Sequence, residues 1–184
     1  MHQAVRGMRD VLPADTWRWS HLEGKLFQRL TGASYSEIRL PLMEFTELFA
    51  RGVGEATDIV EKEMYTLSDR DGTSISLRPE GTASCVRALE EHGLLYNKTC
   101  RTFYSGPMFR YEKPQKGRYR QFYQMGVEAF GFEGPDIEAE LVLLITKYFE
   151  EIGLNQYLTL EINTLGSHED RGRYLSLIHI SEPT

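Results

Sequence analysis

The chain has 184 residues, 21 basic and 27 acidic, for a net charge of −6, and 41% of it is hydrophobic. Nine Phe, ten Tyr and two Trp supply enough apolar bulk to exclude a solvated, disordered tail. The acidic balance excludes a general nucleic-acid coat, whose affinity comes from neutralising phosphates, and leaves room for a local basic site.

In chain order, Leu12, Pro13, Ala14 and Asp15 read as an opening turn. Trp19, Leu22, Leu26 and Leu30 then recur every three or four residues and predict an amphipathic helix that Gly32 ends. Residues 36–40 predict a strand stopped by Pro41, and residues 44–51 a helix, followed by a flexible or tightly turned stretch at 51–55. Residues 64–68 and 73–77 flank Asp69, Arg70, Asp71 and Gly72, a hairpin signal. Arg78, Pro79, Glu80, Gly81 and Thr82 break the strand, and a helix over 82–91 follows, with Gly93 beyond its end. Residues 101–112 predict a strand interrupted at Gly106 and Pro107, 113–117 a charged loop, and 119–130 a long returning strand. A helix spans 135–152, with Pro135 near its start, Ile137, Leu141, Leu144, Tyr148 and Ile152 on one stripe, and Gly153 after it. Residues 157–163 alternate and predict a last strand. Short strands joined by hairpins, with helices between the groups, predict an α+β fold: an antiparallel sheet covered on one face by helices.

The longest strongly apolar run, residues 141–145, is far short of the roughly 20 residues of a membrane helix. Nothing in residues 1–10 resembles a secretory signal. Cys85 and Cys100 form no CxxC and read as free thiols, as in a reducing cytosol. The five His are scattered without metal-ligand spacing, so no zinc site is assigned.

Counting side chains along 119–130 separates two faces. Tyr123, Met125, Val127 and Ala129 share one, which is apolar and suited to packing on helices; Phe122, Gln124, Gly126, Glu128 and Phe130 share the other. Gln124 and Glu128 with a glycine between them make a polar floor with a notch, where a ligand could lie against the backbone. The alternative is a solvent-facing strand surface, against which two exposed phenylalanines count. On the preceding strand Met108, Arg110 and Glu112 alternate onto one face, so a hairpin sets Arg110 beside Gln124 and Glu128. An arginine fork grips phosphate oxygens, and Lys113, Lys116, Arg118 and Arg120 in the connecting loop add cations, although such a run also suits a solvated loop. Glu80 and Thr82, at the strand-to-helix break, could hold an amine; alone, that segment reads as a local cap, with Thr82 capping the helix and Glu80 in solvent. Together the three elements suggest a nucleotide and a small amino compound, with no side-chain nucleophile.

Several ordered blocks carry a resemblance to a known family. They are residues 6–13 (Arg-Gly-Met-Arg-Asp-Val-Leu-Pro), residues 57–65, residues 77–82 around Arg78 and Glu80, and residues 106–122, with Gln124, Gly126 and Glu128 in register. From about Arg6 to Tyr174 the chain resembles histidyl-tRNA synthetases, class II aminoacyl-tRNA synthetases. The resemblance implies a class II catalytic core, here incomplete, in a cytoplasmic homodimer whose interface uses a helix–strand segment ending near Pro41. It implies ATP with Mg²⁺, L-histidine and tRNA(His) as substrates and partners. Arg110 corresponds to the arginine on the ATP α-phosphate, Glu112 to an adenine contact, Phe122 to a ring stacked on adenine, and Arg118 to a γ-phosphate contact. Glu80, Thr82 and Gln124 match residues that hold the amino group of histidine, and Glu128 matches a contact to its imidazole. The implied reaction joins histidine to the α-phosphate of ATP and then passes it to the 3′-terminal ribose of the tRNA.

Two departures stand out. Tyr111 sits where many relatives have His. The family's downstream histidine-binding motif, third motif and anticodon-binding domain are not found in residues 1–174, which read as the N-terminal part of a catalytic domain that is inactive alone. Residues 175–184 leave the family pattern, and from Ser176 onward they look like a translated sequencing adaptor, a non-native tail. The other readings are the non-catalytic, synthetase-like regulatory subunit of ATP phosphoribosyltransferase and a pseudo-enzyme domain of a signalling protein. Retention of Arg110, Glu112 and Arg118 together favours the synthetase.

Overall fold

The computed structural model describes residues 2–53 and 62–162. Pro13 supplies a preset φ to the first turn of helix α1 (Pro13–Gly32), whose Leu26 and Leu30 are buried. Gly32 is the last helical residue, and the left-handed turn beyond it falls on Ser34, at φ 66°. Strand β1 (Ser36–Glu37) is shorter than the predicted 36–40, although the Ile38 N–H still donates to the Phe103 carbonyl at 2.8 Å.

The predicted helix over 44–51 begins later. Met43–Phe45 is strand β2 and Thr46–Val53 is helix α2. The strand was hidden because its alternation is inverted: Met43 and Phe45 are exposed, while Glu44 points inward and pairs with Arg87. Strands β3 (Thr66–Ser68) and β4 (Ser74–Leu77) form the predicted hairpin, closed by Gly72 at φ 89°. The small antiparallel sheet runs in the order β2-β4-β3. Helix α3 (Thr82–Glu91) follows.

Strands β5 (Cys100–Phe109) and β6 (Gln121–Phe130) pair antiparallel along their full length, and β1 joins the other edge of β5 in parallel. Gly106 and Pro107 do not interrupt β5. Pro107 lacks an N–H, but β1 pairs only as far back as Thr102 and Phe103, so no ladder bond is demanded of that nitrogen. The strands stop short of the predicted 112 and 119. After Phe109 the Glu112 N–H turns back onto the Arg110 carbonyl at 2.8 Å, which curls the chain out of the sheet.

Helix α4 (Asp136–Glu151) and α1 cover one face of the large sheet. Their Leu26, Leu30, Leu141, Leu144 and Tyr148 meet Phe103, Met125 and Val127, the apolar face read from the sequence. Arg29 pairs with Glu151 across the two helices. The opposite face is partly covered as well, since Cys85 and Leu89 of α3 pack on Tyr104, Met108, Phe122 and Phe130. The two phenylalanines that argued against a solvent face are therefore half-buried under α3. Both cysteines are free thiols, and burial pushes the Cys85 thiol up.

The chain divides after Ile152 into two compact units. In the second, Asn155–Tyr157 forms a single 3-10 turn, and residues 158–162 pair with no strand among the described residues. The strand predicted over 157–163 is thus absent as far as 162. Leu158, Leu160 and Ile162 are all exposed, so the alternation has no face to pack against. Asn163, the predicted tail at 175–184 and residues 54–61, including most of the 57–65 block, lie outside the described residues. Among those described, no helix is long and apolar enough to cross a membrane.

Candidate functional site

The β5–β6 register decides what stands on the floor. Residues directly opposite in an antiparallel pair share a face, so Thr102 faces Glu128, Tyr104 faces Gly126, Gly106 faces Gln124 and Met108 faces Phe122. The notch at Gly126 is not open to a ligand, as the sequence implied. The ring of Tyr104 lies in it, wedged also against Gly81, and a Cβ on either glycine would overlap that ring. A Cβ on Gly106 would likewise strike the guanidinium of Arg78. Both gaps left by glycine on this face are occupied by side chains of the chain itself.

At the head of α3 the roles of Glu80 and Thr82 differ from the local-cap reading. Glu80 caps the helix: its two carboxylate oxygens accept the N–H groups of Thr82, at 2.5 Å, and Ala83, at 3.0 Å. Thr82 turns its hydroxyl across to the sheet instead and donates to Glu128 Oε1 at 2.7 Å. The Tyr104 hydroxyl reaches the same oxygen at 3.3 Å. Tyr104 is 2% exposed, and burial, with the nearby charges of Glu128 and Glu80, pushes its phenol up to about 12, so it stays protonated at neutral pH. Gln124 lies on the same face, and its side-chain oxygen is buried with no hydrogen-bond donor. Glu80, Thr82 and Glu128 are thereby gathered at the head of α3, with Gln124 further along the same face of β6.

The second group gathers about Arg110, one residue past β5. Its Nε donates to the Pro79 carbonyl at 2.9 Å, and its guanidinium lies 5.1 Å from the centre of the Phe122 ring. Among the described residues Nη1 and Nη2 make no hydrogen bond. Glu112 is largely buried, with an oxygen 3.3 Å from Nε of the exposed Arg118. Arg120 does not join the exposed cations of the loop. Its guanidinium sits 3.8 Å from the centre of the Tyr111 ring, and its Nε donates to the Glu112 carbonyl at 3.1 Å. The N-terminal arm braces this loop: the Gly7 carbonyl accepts from Arg120 N–H at 2.7 Å, and Arg9 donates to the Tyr119 hydroxyl at 3.1 Å. Tyr111, the departure from the family pattern, thus serves as a stacking platform for Arg120.

Two residues of the site escaped the sequence reading. Tyr104 became significant only through its register against Gly126. Arg78 is 3% exposed and holds backbone carbonyls through its side chain, Pro107 at 2.9 Å from Nε and Leu40 at 3.0 Å from Nη1. Its signal was an arginine immediately before a proline at the strand-to-helix break. Among the described residues no group of three or more His, Cys, Asp or Glu side chains could hold a metal ion.

A family model described as histidyl-tRNA synthetase matches residues 7–166. The chain is similar to a crystal structure of apo S. aureus histidyl-tRNA synthetase, with 40% identity and a TM-score of 0.71, over 84% of this chain and 35% of that one. It shares its fold with a Bacillus halodurans protein described as an ATP phosphoribosyltransferase regulatory subunit/histidyl-tRNA synthetase, at 23% identity, TM-score 0.71, 83% of this chain and 38% of that one. A histidine–tRNA ligase subunit from Alicyclobacillus acidocaldarius is similar in fold at 22% identity and TM-score 0.70, over 83% of this chain and 43% of that one. The matched regions span between 35% and 43% of those proteins.

Proposed function

Since the chain belongs to the histidyl-tRNA synthetase family, we propose that it carries the ATP- and histidine-binding floor of a cytoplasmic histidine–tRNA ligase. The observation that carries this reading is the orphaned oxygen of Gln124, buried on the same face as Glu128. An unpaired buried acceptor costs on the order of 1–3 kcal/mol, and an ammonium donor relieves that cost. The α-amino group of histidine takes that place, with Glu80 and Thr82 beside it, and Glu128 accepts from a ring N–H. ATP lies toward Arg110, whose free Nη1 and Nη2 suit an α-phosphate, with Phe122 and Glu112 at the adenine and Arg118 at the γ-phosphate.

The histidine carboxylate then attacks the α-phosphorus, the bond to the bridging oxygen breaks and pyrophosphate leaves. The terminal ribose hydroxyl of tRNA(His) takes the histidyl group from the adenylate, releasing AMP. What these residues contribute is position and charge. Mg²⁺ bound with the triphosphate would neutralise part of its charge. Residues 1–174 form the N-terminal part of the catalytic domain in this reading, and a homodimer is supported by the exposed Leu42, Met43 and Phe45 beside Pro41.

The regulatory-subunit reading has the same fold in its favour. It is disfavoured by the joint presence of Arg110, Glu112 and Arg118, since a regulator has no need of a full set of triphosphate contacts. Amino-acid-dependent ATP–pyrophosphate exchange, measured on the full-length gene product, separates the two. Exchange driven by histidine supports the ligase; no exchange, with stimulation of an ATP phosphoribosyltransferase, overturns it. In the same assay Glu128→Ala is expected to reduce the preference for histidine over an apolar amino acid of similar size by about a hundredfold, because the acceptor that such a ligand leaves unpaired is gone. Unchanged selectivity would refute the role of Glu128.

A further inference from the structure

Glu128 is served unequally. Its Oε1 receives the Thr82 hydroxyl at 2.7 Å and the Tyr104 hydroxyl at 3.3 Å, while Oε2 has no partner among the described residues. Each hydroxyl has a single proton, and the two oxygens also lie 3.4 Å apart, so Tyr104 closes a triangle with Thr82 and Glu128 Oε1. The ring behind the second hydroxyl is fixed by shape, because Gly81 and Gly126 both leave room for it and for nothing larger than hydrogen at their own Cα. We propose that Tyr104 is the positioning residue for amino-acid specificity: with Thr82 it occupies Glu128 Oε1, which turns Oε2 toward the ligand's ring N–H, and its ring closes the floor at Gly126 and so limits the depth of the pocket. This deepens the histidine reading above and rests on it. The raised phenol pKa fits the role, since a neutral phenol donates to a carboxylate and an ionised one would repel it.

Tyr104→Phe keeps the ring in the glycine notch and removes only the donor. In the full-length protein the KM for histidine in ATP–pyrophosphate exchange is expected to rise about tenfold, while kcat and the KM for ATP change less than about twofold. In a Glu128→Gln background the same substitution is expected to add nothing, the signature of a residue acting through Glu128. A thienyl analogue of histidine, whose ring has no N–H, is expected to bind both proteins equally as a competitor. Equal losses in kcat and in both KM values, or a Tyr104→Phe effect that persists in the Glu128→Gln background, would overturn the assignment to Tyr104 and leave the histidine site standing. A wild-type protein without histidine-dependent exchange would overturn the histidine reading itself.

Discussion

Arg110→Ala in the full-length protein is expected to slow adenylate formation by about a hundredfold to a thousandfold, with histidine affinity changed less than about threefold. The asymmetry follows from where the guanidinium is held. Nε is fixed on the Pro79 carbonyl and the plane lies near Phe122, so the two terminal nitrogens are set in place before any substrate arrives. A charge that needs no reorganisation is most effective where negative charge builds up, in the proposed reaction on the oxygens of the α-phosphorus as the bond to pyrophosphate breaks. Glu80 and Thr82 are held by their own bonds, to the head of α3 and to Glu128, and should be left intact. Arg110→Lys should recover part of the rate, since it returns a charge without the two-pronged geometry. Pyrophosphate exchange and equilibrium dialysis with labelled histidine are the paired measurements; equal losses in both would remove Arg110 from the charge-stabilising role.

The largest effect on stability is expected at Arg78. Arg78→Met keeps the volume of the side chain and strands the carbonyls of Leu40 and Pro107, which it now satisfies. The backbone of the same residue links the sheets, its N–H donating to Leu42 and its carbonyl accepting from Phe109, each at 2.9 Å. Burial lowers the pKa of this guanidinium below the usual arginine value, and removing a desolvated charge returns some free energy. Two buried acceptors left unpaired, at about 1–3 kcal/mol each, outweigh it, for a net loss of about 3 kcal/mol. For a chain of this size that is a fall in Tm of roughly 6–12 °C. Thermal unfolding followed by circular dichroism checks it, and a shift under about 2 °C would mean that the carbonyls find water.

Legibility in the sequence followed the range of the interaction. The two faces of β6 could be counted because a ten-residue strand alternates long enough to average out accidents, and Arg110 followed from the same count on β5. The notch at Gly126 looked open because its occupant is Tyr104, 22 positions earlier in the chain, and only the pairing register brings them together. Pro107 looked like a break because the short reach of β1 cannot be read locally. β2 is hidden because Glu44 faces inward toward Arg87, reversing the usual pattern, and the alternation over 157–163 predicts a strand that finds no partner among the described residues. At Glu80 and Thr82 two residues competed for one cap, and the longer carboxylate took it because the Thr82 hydroxyl had a better partner across the sheet.

The Glu80 cap alters what the head of α3 can attract. The exposed N–H groups at the start of a helix ordinarily draw anions. On α3 a fixed carboxylate covers two of them, so this helix start is closed to a triphosphate. Both signs of charge then stand close together: Arg110 is anchored on the Pro79 carbonyl, one residue before Glu80, and Arg118 pairs with Glu112. An amino acid and a nucleoside triphosphate carry opposite charges at the ends by which this floor would hold them. The carboxylates and guanidiniums therefore sort those charges at short range, by which group each one reaches, and not by a field along the strand.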